Sequence, residues 1–267
     1  MPEEEENDMM LLQDKVAIIY GAGGAVGGAV AQAFTRHGAQ VYLTGRTLAA
    51  VQATATRLQH TGRVADAACV DATDAAQVQS YLDRIIARTG RLDISFHAVG
   101  LEDVQGAPLL EMSLADVARP VERAVKTQFI TATSAARQMV QAGSGVILGI
   151  TAEVPGTNTG GFGIACAATE LLFKQLALEV GRHGVRALCL RSSGSPDAPG
   201  VDEVFEQHAR LRGLTRAAFE AQLGQGLALK RLPKLAEIGD AAVLAASDLA
   251  SAMTVSSLNV TCGSACP

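Results

Sequence analysis

The sequence predicts an α/β fold, a doubly wound parallel sheet of seven strands. Short β-branched apolar runs recur between segments whose apolar residues fall at helical spacing, and the alternation continues along the chain without an internal repeat. The first such run ends abruptly in a glycine-rich turn that opens a helix. Composition agrees, because 267 residues suit one large α/β unit, and 48% hydrophobic against 18% charged residues calls for an ordered globule. With 4% aromatic residues and no tryptophan, the core falls to Ala, Val, Leu and Ile, as in strands covered on both faces by alanine-rich helices.

The elements follow in order. An acidic arm over residues 1–11, expected to be disordered, precedes a single domain over residues 12–267. Lys15 to Tyr20 reads as a buried first strand, and the segment from Gly21 to Gly38 as turn and helix. Ala39 to Thr44, Val64 to Val70, Leu92 to Ala98, Gly145 to Ile150, Val185 to Leu190 and Ser256 to Val260 supply the other strands. Helices are expected at Leu48 to Thr61, Ala75 to Thr89 and Gly163 to His183, with one or two more within Leu114 to Gln141. A Ser/Pro/Gly-rich stretch that turns helical, residues 192–233, interrupts the rhythm. An insertion at the carboxyl edge of such a sheet is where a substrate lid would sit, and the plainer reading is a peripheral helical pair.

A net charge of −5 argues against a nucleic-acid or anionic-membrane surface, both of which need a basic footprint. The acidic start is unlike a signal peptide and no apolar run approaches transmembrane length, so a cytoplasmic protein is expected. Five cysteines (Cys69, Cys166, Cys189, Cys262, Cys266) form no CxxC pair and no metal-like cluster with histidine, and read as reduced thiols; no metal site is expected.

The turn from Tyr20 to Gly27 lets backbone N–H groups and a helix dipole face a pyrophosphate. Its spacing does not fit GxGxxG, since Val26 occupies the last glycine position. It resembles the GxxxGxG turn of the short-chain dehydrogenase/reductase family, with Gly21 and Gly27 in place and Ala25 at the middle glycine. Arg46 in TGR, Asp71 in CVDATD, Gly100 in FHAVG, the run LALEVGRHGVRALCL and the closing SLNVTCG extend the resemblance from about Lys15 to Gly263. It implies a Rossmann-type fold whose cofactor site uses Gly21, Gly23, Gly24, Val26, Gly27, Arg46, Asp71, Ala72, His97 and Gly100. Arg46 can pair with a 2′-phosphate where an acidic residue would hold a free ribose, which favours NADP(H) over NAD(H). Asp71 would accept from the adenine amino group.

The resemblance fails in the catalytic half. Family members of the common type use Asn, Ser, Tyr and Lys, the lysine lowering the pKa of a tyrosine that exchanges a proton with substrate. Aligned through LALEV, those positions carry Ala124, Ala152, Phe162 and Cys166. Misalignment does not explain this. The chain has three tyrosines, Tyr20, Tyr42 and Tyr81, and none has a lysine four residues on. The nearest groups with chemistry are Thr151, Cys166 and His97, together with Glu153, Asn158 and Glu170. Thr151 would orient a carbonyl or cap a loop. Cys166 would react or merely pack, with Glu170 one turn on as a buried acid of raised pKa or a solvent-facing one. His97, at a strand end facing the cleft, would touch the cofactor, shuttle a proton or replace a structural asparagine.

Three functions stay open on these residues. The first is an NADP(H)-dependent oxidoreductase acting on an unknown small molecule without Tyr–Lys chemistry, its proton coming from water, His97 or a thiol. The second is a catalytically inactive relative serving as a dinucleotide-binding regulatory or partner subunit, and the third a non-redox lyase or isomerase. The helices flanking the lost YxxxK segment resemble those through which relatives associate, so a homodimer or homotetramer is expected.

Overall fold

The computed structural model describes residues 10–154, 156 and 158–264. Its strands are β1 (Val16–Tyr20), β2 (Gln40–Gly45), β3 (Val64–Cys69), β4 (Ile94–His97), β5 (Gly145–Ala152), β6 (Val185–Ser192) and β7 (Ser257–Val260). All pair in parallel, in the order β3-β2-β1-β4-β5-β6-β7. The helices are α1 (Ala25–Arg36), α2 (Leu48–Arg57), α3 (Ala75–Thr89), α4 (Leu114–Ala142), α5 (Gly160–Val180), α6 (Val201–Leu211), α7 (Arg216–Gln225) and α8 (Leu235–Ala246). The chain winds outward from β1 to β3, then returns to place β4 on the other side of β1. The carboxyl ends of β1 and β4 therefore flank the crevice where doubly wound sheets bind ligands.

Alternation along each strand divides the core between two faces. Ile19, Leu43, Phe96 and Leu148 meet Val30, Phe34, Val51 and Val243 of α1, α2 and α8. Ile18, Tyr42 and Ile147 meet Leu82, Ala132, Met139 and Phe173 of α3, α4 and α5. Helix α3 has the expected bounds because Asp74 caps it, accepting from the N–H groups of Ala76 and Gln77, and Gly90 ends it in the left-handed region. The Leu114 to Gln141 region is one helix. It starts in a Ser113/Asp116 capping box and runs through Pro120, which leaves the Asp116 carbonyl without its intrahelical donor. A side chain at Gly161 would lie 2.4 Å from that carbonyl, so α4 and α5 cross at close range there.

Three expectations change. Helix α8 was not anticipated; it fills the face beside α1, with Gly239 close against Ala29 and Ala33. Of the expected acidic arm, residues 1–9 lie outside the described residues, whereas Leu11 packs on the core; Leu12, the first residue expected in the domain, is fully buried, its N–H donating to the His37 carbonyl at 2.9 Å. Gly160–His183 is, among the described residues, long and apolar enough to cross a membrane, contrary to the sequence reading. Its apolar character has a different use: Phe173, Leu176, Ala177 and Val180 are buried against the sheet.

The stretch expected as a lid holds α6 and α7 around a small core of Phe205, Ala209, Phe219, Leu227 and Leu232. It attaches to the loop after β4 through His208, whose Nε2 lies 2.7 Å from an Asp103 carboxylate oxygen. The same loop is pinned to the start of α5: Gly106 N–H donates to the Asn158 carbonyl at 2.7 Å and Phe162 N–H to the Val104 carbonyl at 3.2 Å.

Candidate active site

A cleft of about 470 Å³ opens at the carboxyl ends of β1, β2, β3 and β4. Its floor is the β1–α1 turn. Gly21 has φ +77°, and a side chain there would stand 2.3 Å from the Ala98 carbonyl oxygen. A side chain at Gly27 would meet the Gly21 carbonyl at 2.3 Å, so these two glycines let the turn lie flat between β4 and the helix. Helix α1 begins at Gly24 with no side-chain cap, which leaves its first N–H groups directed outward. These donors and the positive end of the helix suit a phosphate.

Gly21, Gly23, Gly24, Val26, Gly27, Arg46, Asp71, Ala72 and Gly100 all line the cleft, as does Ala25. Asp71 accepts from Thr73 N–H and from its hydroxyl, both at 2.9 Å and both on Oδ1, leaving the second oxygen as an acceptor. Those bonds, aided by the Arg46 charge, hold the Asp71 carboxyl below its ordinary range against the opposing effect of burial. Arg46 is exposed at the lip, and its guanidinium makes no ion pair or hydrogen bond with a described residue. The sequence reading missed Thr44, Thr47, Val70, Thr127 and Arg123, which also line the cleft. Val70, Thr47 and Arg123 had a signal, each standing next to a position already singled out, Asp71, Arg46 and Ala124.

His97 does not face this cleft. Its ring is fully buried on the other side of β4, 5.3 Å from the Tyr20 ring in a stacked arrangement and edge-on to Phe173. Nδ1 lies 2.7 Å from Thr131 Oγ1 and Nε2 lies 3.0 Å from Ser95 Oγ. The Thr131 hydroxyl donates to the Thr127 carbonyl at 2.7 Å, so Nδ1 must be the donor to Thr131 and Nε2 the acceptor from Ser95. Burial lowers the imidazole pKa to about 3, so it is neutral. Of the readings open in the sequence, the structural one describes it.

Thr151, Cys166 and Glu170 do come together, with a partner the sequence did not suggest. Arg191 at the end of β6 donates to both Glu170 carboxylate oxygens, Nε at 2.9 Å and Nη2 at 2.6 Å. Thr151 donates to the same carboxylate at 2.9 Å and Ser257 at 3.2 Å. Burial pushes the Glu170 pKa up, but the arginine and the two hydroxyls outweigh it and hold it below the ordinary value, opposite to the expected shift. Glu153 stands behind, its side chain 5% exposed and 3.6 Å from Arg191 Nη1, with Oε2 accepting no hydrogen bond from a described residue. Cys166 is buried, its thiol pushed up to about 11 by burial. Ala124 is also buried, while Ala152 and Phe162 are half-buried. Among the described residues, none between 150 and 170 lines the cleft. Cys69, Cys166, Cys189 and Cys262 are free thiols, and Cys266 lies outside the described residues.

A parallel sheet with a glycine-rich β1–α1 turn, uncapped helix donors and an acidic residue after β3 defines a doubly wound α/β protein with a cleft shaped for a phosphate-bearing ligand. The comparisons make the assignment narrower. The family model described as enoyl-(acyl carrier protein) reductase matches residues 21–265. A tropinone reductase-like protein of Erythroxylum coca is 31% identical over 231 residues, covering 84% of this chain and 83% of its own. A short-chain type dehydrogenase/reductase from Mycobacterium marinum superposes with a TM-score of 0.82 at 27% identity, over 97% of this chain and 99% of the other. An NAD+-bound xylitol dehydrogenase shares the fold, with a TM-score of 0.85 at 20% identity over 93% and 98% of the two chains. The chain belongs to the short-chain dehydrogenase/reductase family of oxidoreductases.

Proposed function

We propose that this protein binds NADP(H) and acts as an oxidoreductase on a small molecule without a Tyr–Lys pair. The observation that carries the cofactor preference is Arg46, a guanidinium without a hydrogen bond or ion pair among the described residues, at the lip of a cleft whose floor suits a pyrophosphate. Gly24 to Gly27 would hold the pyrophosphate and Asp71 the adenine amino group; the bound cofactor would supply hydride. Thr151 commits its one proton to Glu170 and so has none for a substrate carbonyl. His97 is buried and neutral, and the Cys166 thiol is buried and weakly acidic. This leaves water as the proton source, which suits an activated alkene or iminium.

Fluorescence titration tests the reading. NADPH is expected to bind more tightly than NADH, and Arg46→Asp to invert that order, with about tenfold or more lost for NADPH. Equal affinities for the two nucleotides before and after substitution would refute the role of Arg46.

The absence of α5 from the cleft lining among the described residues favours a second reading, a dinucleotide-binding subunit without turnover. The loop after β4 accepts a hydrogen bond from Phe162 N–H, and Ala124, Ala152, Phe162 and Cys166 are not among the residues lining the cleft. NADPH binding without oxidation across carbonyl, enone and imine substrates would support it.

The proposal extends to assembly and location. Ile164, Leu171 and Leu178 are 42%, 57% and 71% exposed at intervals of seven on α5, and Phe129 of α4 is 53% exposed. Such a stripe suits association with a second copy, which we expect in a cytoplasmic homodimer or homotetramer. Leu171→Arg is expected to shift the protein to monomer in sedimentation velocity; an unchanged mass would place the contact elsewhere.

A further inference from the structure

Arg123 reaches the cleft from α4, a wall to which nothing yet assigns a role. It lines the cavity with Val70, Asp71, Val99, Gly100 and Thr127, and its side chain is 31% exposed. Nη1 donates to Glu102 Oε1 at 2.9 Å, while Arg119 Nε donates to the other Glu102 oxygen at 2.7 Å. One carboxylate thus fixes two guanidinium groups. Pairing through one edge leaves the faces of the Arg123 plane unused, and those faces are the weakly hydrated part of the group. Holding it in place beforehand also removes most of the entropy that a free arginine would lose on binding.

Asp71 lines the same cavity, which gives the plane a candidate partner. On the reading above, which this inference rests on, Asp71 receives the amino group of an adenine. We infer that Arg123 is a recognition residue whose guanidinium covers the face of that adenine, in a contact dependent on its planar shape as well as its charge. A purely ionic contact to a cofactor phosphate makes the opposite forecast, since lysine would replace it and salt would screen it.

The test is calorimetric titration of the full chain and its variants with NADPH, adenosine 2′,5′-bisphosphate and reduced nicotinamide mononucleotide. Arg123→Ala is expected to weaken the two adenine ligands about tenfold each, leaving the mononucleotide unchanged. Arg123→Lys keeps the charge without the plane and is expected to recover little of the loss, with the deficit persisting at high salt. Thermal melting of both variants separates this from unfolding, and Arg123→Gln, which keeps a small planar amide, serves if alanine unfolds the chain. Unchanged adenine affinity, or full recovery by lysine, overturns the assignment while leaving the dinucleotide site standing. Failure of the unsubstituted chain to bind any of the three removes the dinucleotide reading itself.

Discussion

Arg191→Met is expected to lose about 3–5 kcal/mol of stability at pH 7, the usual penalty for stranding a buried charge. The side chain of Glu170 is 11% exposed and that of Glu153 5% exposed, so both carboxylates would be left in a poorly solvated place. The dependence on pH makes the prediction sharper. Glu170 is held below its ordinary pKa in the folded protein, so its stabilising contribution is present above the unfolded carboxylate pKa and is lost as pH falls through the folded value. Without Arg191 the same carboxylate is easier to protonate, so the variant's deficit should shrink from pH 7 toward pH 4. Urea unfolding followed by circular dichroism measures both effects. A loss under about 1 kcal/mol would mean that the cluster behaves as an exposed ion pair.

His97 gives the second large effect, with the sign of a buried base. Its folded pKa is about 3 against an ordinary 6.5, so between those values the unfolded chain binds a proton that the folded chain refuses. The stability supplied by the neutral ring is complete above pH 6.5 and lost progressively below it, amounting to ~5 kcal/mol by pH 3. His97→Asn keeps a polar group for Ser95 and Thr131 but does not titrate. Its unfolding free energy should be flatter between pH 6.5 and 4.5 than that of the unsubstituted protein. Parallel slopes would show that the carboxylates alone set the acid sensitivity.

The rhythm of the sheet was legible because parallel strands buried on both faces appear as unbroken apolar runs, punctuated by residues such as Asp74 and Gly90 that can be read alone. The floor of the cleft was legible for the same local reason, since Gly21 to Gly27 is one continuous segment. What escaped was set by distance or by facing. Glu170 and Arg191 are brought together only when α5 lies across β6. His97 belongs to the side of β4 that Ser95 occupies, and the sequence does not reveal toward which layer that side turns. Helix α8 was hidden because LAEIGDAAVLAA is apolar on nearly every side, with too weak an alternation to separate helix from loop.

The strand order also bears on how the chain is made. After β4 docks on β1, each later strand joins the free edge left by its predecessor: β5 on β4, β6 on β5 and β7 on β6. Growth at that edge follows the direction of synthesis, so a nascent chain can lengthen its sheet without reopening a completed pairing. The last addition is small, four residues pairing with β6 alone, yet it brings Ser257 to Glu170. Until Ser257–Val260 leaves the ribosome, that carboxylate lacks one of its donors, and the newly formed edge of β6 stays open to another chain.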